Sequence, residues 1–124
     1  MADTTSRRRT ARRLLAVGLV SALLALAGCG DDGPDLPVVG LVTKTDTNPF
    51  FVKMKEGAQA AAKEHNVKLL TASGKSDTDN ASQVTALENM TTQGAKGILL
   101  VPADSKAVVP AIKKARDAGV TVIA

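Results

Sequence analysis

The sequence predicts an α/β domain on a doubly wound parallel sheet. Three observations point there: short apolar runs rich in β-branched residues without polar alternation, amphipathic stretches of helical period between them, and connections of a few residues. Read along the chain, the order is βαβαβαβ over residues 37–124. Residues 1–28 read as a leader and 29–36 as a flexible tether.

The first strand is Pro37 to Thr43, Pro-Val-Val-Gly-Leu-Val-Thr, apolar on both faces as a strand between two helical layers must be. From Asn48 the period changes. Phe51, Met54, Ala58, Ala61, Ala62 and His65 recur at spacings of three and four, with Asn48 as N-cap and Pro49 as first helical residue. Val67 to Ala72 is the second strand. A polar loop, Ser73 to Asn80, leads into a helix from about Asp79 to Gln93, with Val84, Leu87 and Met90 inward and Gly94 as its stop. Lys96 to Val101 is the third strand. The third helix is expected over Ser105 to Ala118 on a stripe of Val108, Val109, Ile112 and Ala115; Pro110 means that it either starts late or kinks. Val120 to Ala124 begins a fourth strand, and a chain that stops inside an apolar strand reads as an N-terminal fragment.

Charge and composition exclude several function classes. The net charge of +4 comes from the first 13 residues, which hold five arginines and one acid; residues 29–124 carry 11 basic and 11 acidic side chains. A neutral body with two aromatics, no Trp and no Tyr offers neither a basic nucleic-acid face nor a base-stacking platform, so no nucleic-acid partner is expected. One cysteine and one histidine exclude an internal disulfide and a structural zinc, and His65, far from the strand tips, reads as structural.

The leader has its own logic. Arg7 to Arg13 precede an uncharged run, Leu14 to Ala27, of 14 residues, too short for the roughly 20 that span a bilayer but right for a secretory signal. Leu26-Ala27-Gly28-Cys29 resembles the bacterial lipobox, which implies lipidation of Cys29 and a protein exported and held at the outer face of the cytoplasmic membrane. Arg12-Arg13 loosely resembles a twin-arginine export signal.

In an open α/β sheet, ligands bind beyond the carboxyl ends of the strands, at the switch point. The residues there are Lys44 to Phe51, Ser73 to Asp79, and Pro102 to Ser105. Phe51 lies on the helical stripe and reads as core or as ligand cover; Phe50 is one position off it. A ring beside an amide suits a sugar, covering a C–H face while polar groups pair the hydroxyls. Asn48 reads as a helix cap or as a hydroxyl-pairing amide, Lys44 with Asp46 as a solvated pair or as ligand groups, and Asp104 as the cap of the third helix or as a ligand acceptor. No dinucleotide fingerprint, phosphate-binding P-loop or nucleophile elbow occurs, and a lone histidine far from the tips cannot complete a triad; no cofactor, metal or catalysis is expected.

Asn48-Pro49-Phe50-Phe51, followed by Lys53-Met54-Lys55-Glu56-Gly57-Ala58, resembles the substrate-binding proteins of ribose- and fructose-type ABC sugar importers, as does Gly97 to Val108 around Pro102-Ala103-Asp104-Ser105. That resemblance implies the N-terminal lobe of a type I periplasmic-binding fold. It also implies that Asn48 hydrogen-bonds a monosaccharide, that Phe50 and Phe51 pack on its ring, and that Lys44 and Asp104 adjoin it. Val101 stands where ribose receptors commonly carry Asn, whereas Lys44 within Thr43 to Asp46 resembles fructose-type members. The implied partners are a sugar and the permease and ATPase subunits of an importer. A receptor for a sugar-like autoinducer or a chemosensory system is the alternative.

Overall fold

The computed structural model describes residues 35–124. The leader, Cys29 and most of the tether lie outside the described residues. Four strands, β1 (Val38–Thr43), β2 (Lys68–Ser73), β3 (Gly97–Leu100) and β4 (Thr121–Ile123), alternate with three helices, α1 (Pro49–Glu64), α2 (Asn80–Thr92) and α3 (Val109–Asp117). All pairings are parallel and the spatial order is β2-β1-β3-β4. The chain moves outward from β1 to β2, then crosses back over β1 to β3. A right-handed crossover that reverses direction changes face, so α1 lies on one side of the sheet and α2 with α3 on the other. The switch point falls between β1 and β3.

The two faces are unequally filled. Alternation along β1 sends Val42 to the α2–α3 side, where it meets Leu87, Met90, Ile98, Leu100, Val108, Ala111, Ala115 and Val122 in one core. Leu87, fully buried, contributes about 1.5–3 kcal/mol by leaving water. Leu41 and Phe51 form a thinner layer under α1, which packs on β1 and β2. Leu99 and Ile123 face that same side from β3 and β4, where α1 does not reach, and are 41% and 61% exposed.

The helix ends follow the local chemistry. Asn48 caps α1 in an extended conformation and its side chain accepts from the Phe50 N–H, with Pro49 at the first helical position. Asp79 caps α2, its Oδ1 accepting from the Ser82 N–H at 3.0 Å. Gly94 and Gly119, at φ of +81° and +87°, end α2 and α3 in the left-handed region.

Two expectations are corrected here. The third helix starts at Val109, not Ser105: Pro110 supplies no N–H and is accommodated in the first turn, while residues 103–108 form turns. Val109 is consequently 54% exposed instead of part of the inward stripe, which consists of Val108, Ala111 and Ala115 with Ile112 half-buried. On α1 the stripe is likewise shorter than its period suggests. Phe51 is buried and Met54, Ala58 and Ala62 are half-buried, but Ala61 and His65 are exposed because α1 covers only two strands.

Candidate functional site

The carboxyl ends of β1, β2 and β3 meet around one backbone atom. The Thr43 carbonyl accepts from the Gly74 N–H at 3.2 Å and from Nε2 of Gln83 at 3.0 Å. The same Nε2 donates to the Val101 carbonyl at 2.9 Å, and Oε1 of Gln83 accepts from the Ala103 N–H at 2.7 Å. One completely buried side chain thereby joins the tips of β1 and β3, and the Gly74 N–H ties the end of β2 to the same Thr43 carbonyl.

From that node the β1 tip rises as a folded turn. Thr45, 5% exposed, has its hydroxyl 3.0 Å from that of Thr47 and accepts from the Thr47 N–H at 3.2 Å; the Thr43 hydroxyl donates to the Thr45 carbonyl at 3.3 Å. These bonds deliver the chain to Asn48 in the extended conformation that a cap requires. Oδ1 of Asn48 is used by the Phe50 N–H at 3.0 Å, while its two amide hydrogens have no partner among the described residues. Phe50 is 65% exposed and Phe51 is 8% exposed, and their rings meet edge to face with centroids 5.3 Å apart. Part of the tip thus presents an aromatic face and two free donors to solvent.

Lys44 is half-buried at the base of this tip, its carbonyl beneath Gly74, and Asp46 is exposed. They form no ion pair with each other or with another described residue. Asp104 lies on the adjoining β3 tip, tied to β1 through Gln83. It caps the turn before α3 instead of the helix itself: Oδ1 accepts from the Lys106 N–H at 2.8 Å and the Ala107 N–H at 2.9 Å. These amides, Ala107 foremost, hold its carboxyl below the ordinary carboxylate value. On the β2 tip Asp79 is lowered further, to about 2, by the Ser82 hydroxyl and the Lys75 and Ser82 backbone N–H groups.

A groove of about 430 Å³ opens beside this rim, between the start of α1 and the end of β2. Thr43, Asp46, Phe51, Lys55 and Ser73 line it, but Lys44, Asn48, Phe50 and Asp104 do not, so it is a separate feature on the α1 side. Among the described residues no cluster of His, Cys, Asp and Glu could hold a metal, and no helix is long and apolar enough to cross a membrane.

Gln83 and Gly74 are the residues that sequence reasoning missed. Gln83 precedes Leu87 and Met90 by four and seven positions, so it stands on the inward stripe of α2, and a polar residue there was the available signal. Gly74 sat in a loop read only as polar. A Cβ at that position would lie 2.6 Å from the Lys44 carbonyl oxygen, a closeness that no sequence pattern displays.

Residues 39–124 match the family described as periplasmic binding protein domain. The chain belongs to that family. Among curated periplasmic binding proteins, the D-ribose/D-allose-binding protein of Pseudomonas aeruginosa is 39% identical over 122 residues, 94% of this chain and 38% of that one. The chain therefore spans about two fifths of such relatives. Solved structures agree. A solute binding protein of an ABC transporter from Burkholderia multivorans superposes with a TM-score of 0.67 at 43% identity, over 70% of this chain and 31% of that one. One from Actinobacillus succinogenes with bound D-allose gives 0.66 at 31% identity, over 69% of this chain and 30% of the other. LsrB from Clostridium saccharobutylicum in complex with AI-2 gives 0.60 at 33%, over 68% and 26%. These periplasmic binding protein neighbours share the parallel α/β sheet read from the sequence.

Proposed function

We propose that this chain is the N-terminal lobe of an extracytoplasmic receptor that binds a monosaccharide and delivers it to an ABC importer, without catalysing a reaction itself. The observation that carries the reading is the β1 tip, where an exposed Phe50 ring and the unpaired amide hydrogens of Asn48 stand together at the switch point. A pyranose or furanose has an apolar C–H face and hydroxyls that both donate and accept, which is what a ring and a carboxamide complement. Lys44 and Asp104 border the same rim and supply polar groups to further hydroxyls. A second lobe, closing by hinge bending, contributes the remaining contacts. The likeness to the ribose/allose-binding relative and to the allose-bound structure supports a sugar of this size.

The test is isothermal titration of the complete gene product with ribose, allose, fructose, xylose, galactose and inositol. Saturable binding of one of them is expected; no heat with any removes the proposal. A receptor for an autoinducer is the second reading, favoured by the similarity to the AI-2 complex, and titration with AI-2 separates the two. Cys29 is proposed as the lipid anchor, with residues 1–28 as its signal. Metabolic labelling with a radioactive fatty acid should mark the wild type and not Cys29→Ala.

A further inference from the structure

The hydrogen-bond ladder between β1 and β3 ends too early to explain how their tips are held. Paired residues run from Val39↔Gly97 to Val42↔Leu100, and the last backbone rung is the Val101 N–H on the Val42 carbonyl at 2.8 Å. Beyond it, the chains part toward the Asn48–Phe50 tip on one side and the Asp104 turn on the other. The next groups, the Thr43 and Val101 carbonyls, are both acceptors and cannot bond each other. The Gln83 amide stands between them. Its nitrogen donates to both oxygens and its own oxygen takes the Ala103 N–H, so the carboxamide supplies the rung that the backbone cannot make.

We propose that Gln83 is a positioning residue for ligand binding. It sets the width of the crevice between β1 and β3, and with it the spacing of Asn48 and Phe50 from Asp104. Three features carry this. Gln83 is completely buried, all three bonds go to backbone atoms at strand ends, and none goes to its own helix. A polar group is costly in a core, and an apolar residue of similar volume would fill the space next to Leu87 and Val42 at least as well. What such a residue lacks is the ability to bridge two carbonyls and one N–H. The inference rests on the sugar-receptor reading for its ligand, but its geometry stands independently of it.

The experiment compares Gln83→Met and Gln83→Asn with Val122→Ala, a core substitution on β4 away from the tips, in the complete gene product. Methionine keeps the volume and loses all three bonds; asparagine keeps the amide but is one methylene too short. Affinity for ribose and allose is measured by calorimetry, melting temperature alongside it, and hydrogen exchange at the Ala103 and Val101 amides. Gln83→Met should weaken binding by about tenfold or more, because the bound geometry is no longer preorganised, and should speed Ala103 exchange selectively. Val122→Ala should lower the melting temperature and leave the dissociation constant within about twofold, as expected of a distant, uncoupled site. Should Gln83→Met fail to fold, Gln83→Asn is read by the same criteria. Wild-type affinity in the Gln83 variants, or an equal loss in Val122→Ala, overturns the proposal. If the wild type binds neither sugar, affinity is read with whichever of fructose, xylose, galactose or inositol it binds; if it binds none, the receptor reading is what fails, faster Ala103 exchange then still supports the brace, and unchanged exchange overturns it.

Discussion

Phe50 and Phe51 are neighbours in the chain whose rings touch edge to face, 75° between planes, yet one is 65% exposed and the other 8%. Consecutive helical residues point about 100° apart, so the first turn of α1 sends one ring toward solvent and the other onto Leu41 and the sheet. Their substitutions should therefore separate. Phe50→Ala should leave the melting temperature nearly unchanged and weaken sugar binding by about 1–2 kcal/mol. Phe51→Ala should cost about 3 kcal/mol of stability, the lower end for a buried Phe because α1 covers a thin layer. Chemical denaturation and calorimetry read the two effects.

Asn48 has two ends with two jobs, and one substitution distinguishes them. Asn48→Asp keeps the oxygen that accepts from Phe50 N–H and adds a favourable negative charge at the α1 N-terminus, so stability should hold or rise slightly. It loses the amide donors, so binding should fall by about 1–2 kcal/mol. Asn48→Ala should lose both, with about 1 kcal/mol of stability gone with the cap. Equal binding by wild type and Asn48→Asp would show that the amide hydrogens touch no ligand.

Two glycines face different obstacles. A Cβ on Gly74 meets the backbone oxygens of Lys44, Asp79 and Ser76, at 2.6, 3.1 and 3.1 Å, and these cannot yield without moving the β1 tip. A Cβ on Gly40 meets chiefly the sulfur of Met90, on a flexible side chain that can adopt another rotamer. Gly74→Ala should therefore cost about 2–3 kcal/mol and Gly40→Ala less, and only the former should also weaken ligand binding. Thermal unfolding ranks them.

Asp79 sets an acid limit on the β2 tip. Its carboxyl lies at about 2 in the folded chain against an ordinary 3.8, so between those values the unfolded chain binds more protons than the native one. Stability from this group is fully present above about pH 4 and is lost as pH falls toward 2. Asp104, lowered by its turn amides, acts in the same direction. Asp79→Asn should flatten the dependence of melting temperature on pH between about 4 and 2, leaving a residual slope from the other carboxylates.

Much of the fold was legible because its signals are local. Apolar runs, helical periods and the punctuation at Pro49, Gly94 and Gly119 each act within a few residues, and parallel strands joined by helices then leave few topologies. The start of α3 was harder. Pro110 is compatible both with a kinked helix from Ser105 and with one beginning at Val109, and the choice depends on Asp104 engaging the Lys106 and Ala107 amides in a separate turn. Of the site, Asn48 and the aromatic pair could be found from their place after β1. Which ring is exposed could not, since that depends on how far α1 leans over the sheet.

The amino-acid order alone determined the alternation of elements, the parallel sheet and the tip that carries Asn48 and Phe50, because period and breakers are properties of neighbouring residues. Only the tertiary structure decided that Thr43, Val101 and Ala103 converge on Gln83, that Gly74 closes on the same Thr43 carbonyl, and that Leu99 and Ile123 lie beyond the cover of α1. The hydrogen bonds among them join groups 18 to 40 positions apart that meet at the carboxyl ends of the strands. Hydrogen-bond complementarity over such separations leaves little trace in any short stretch of sequence.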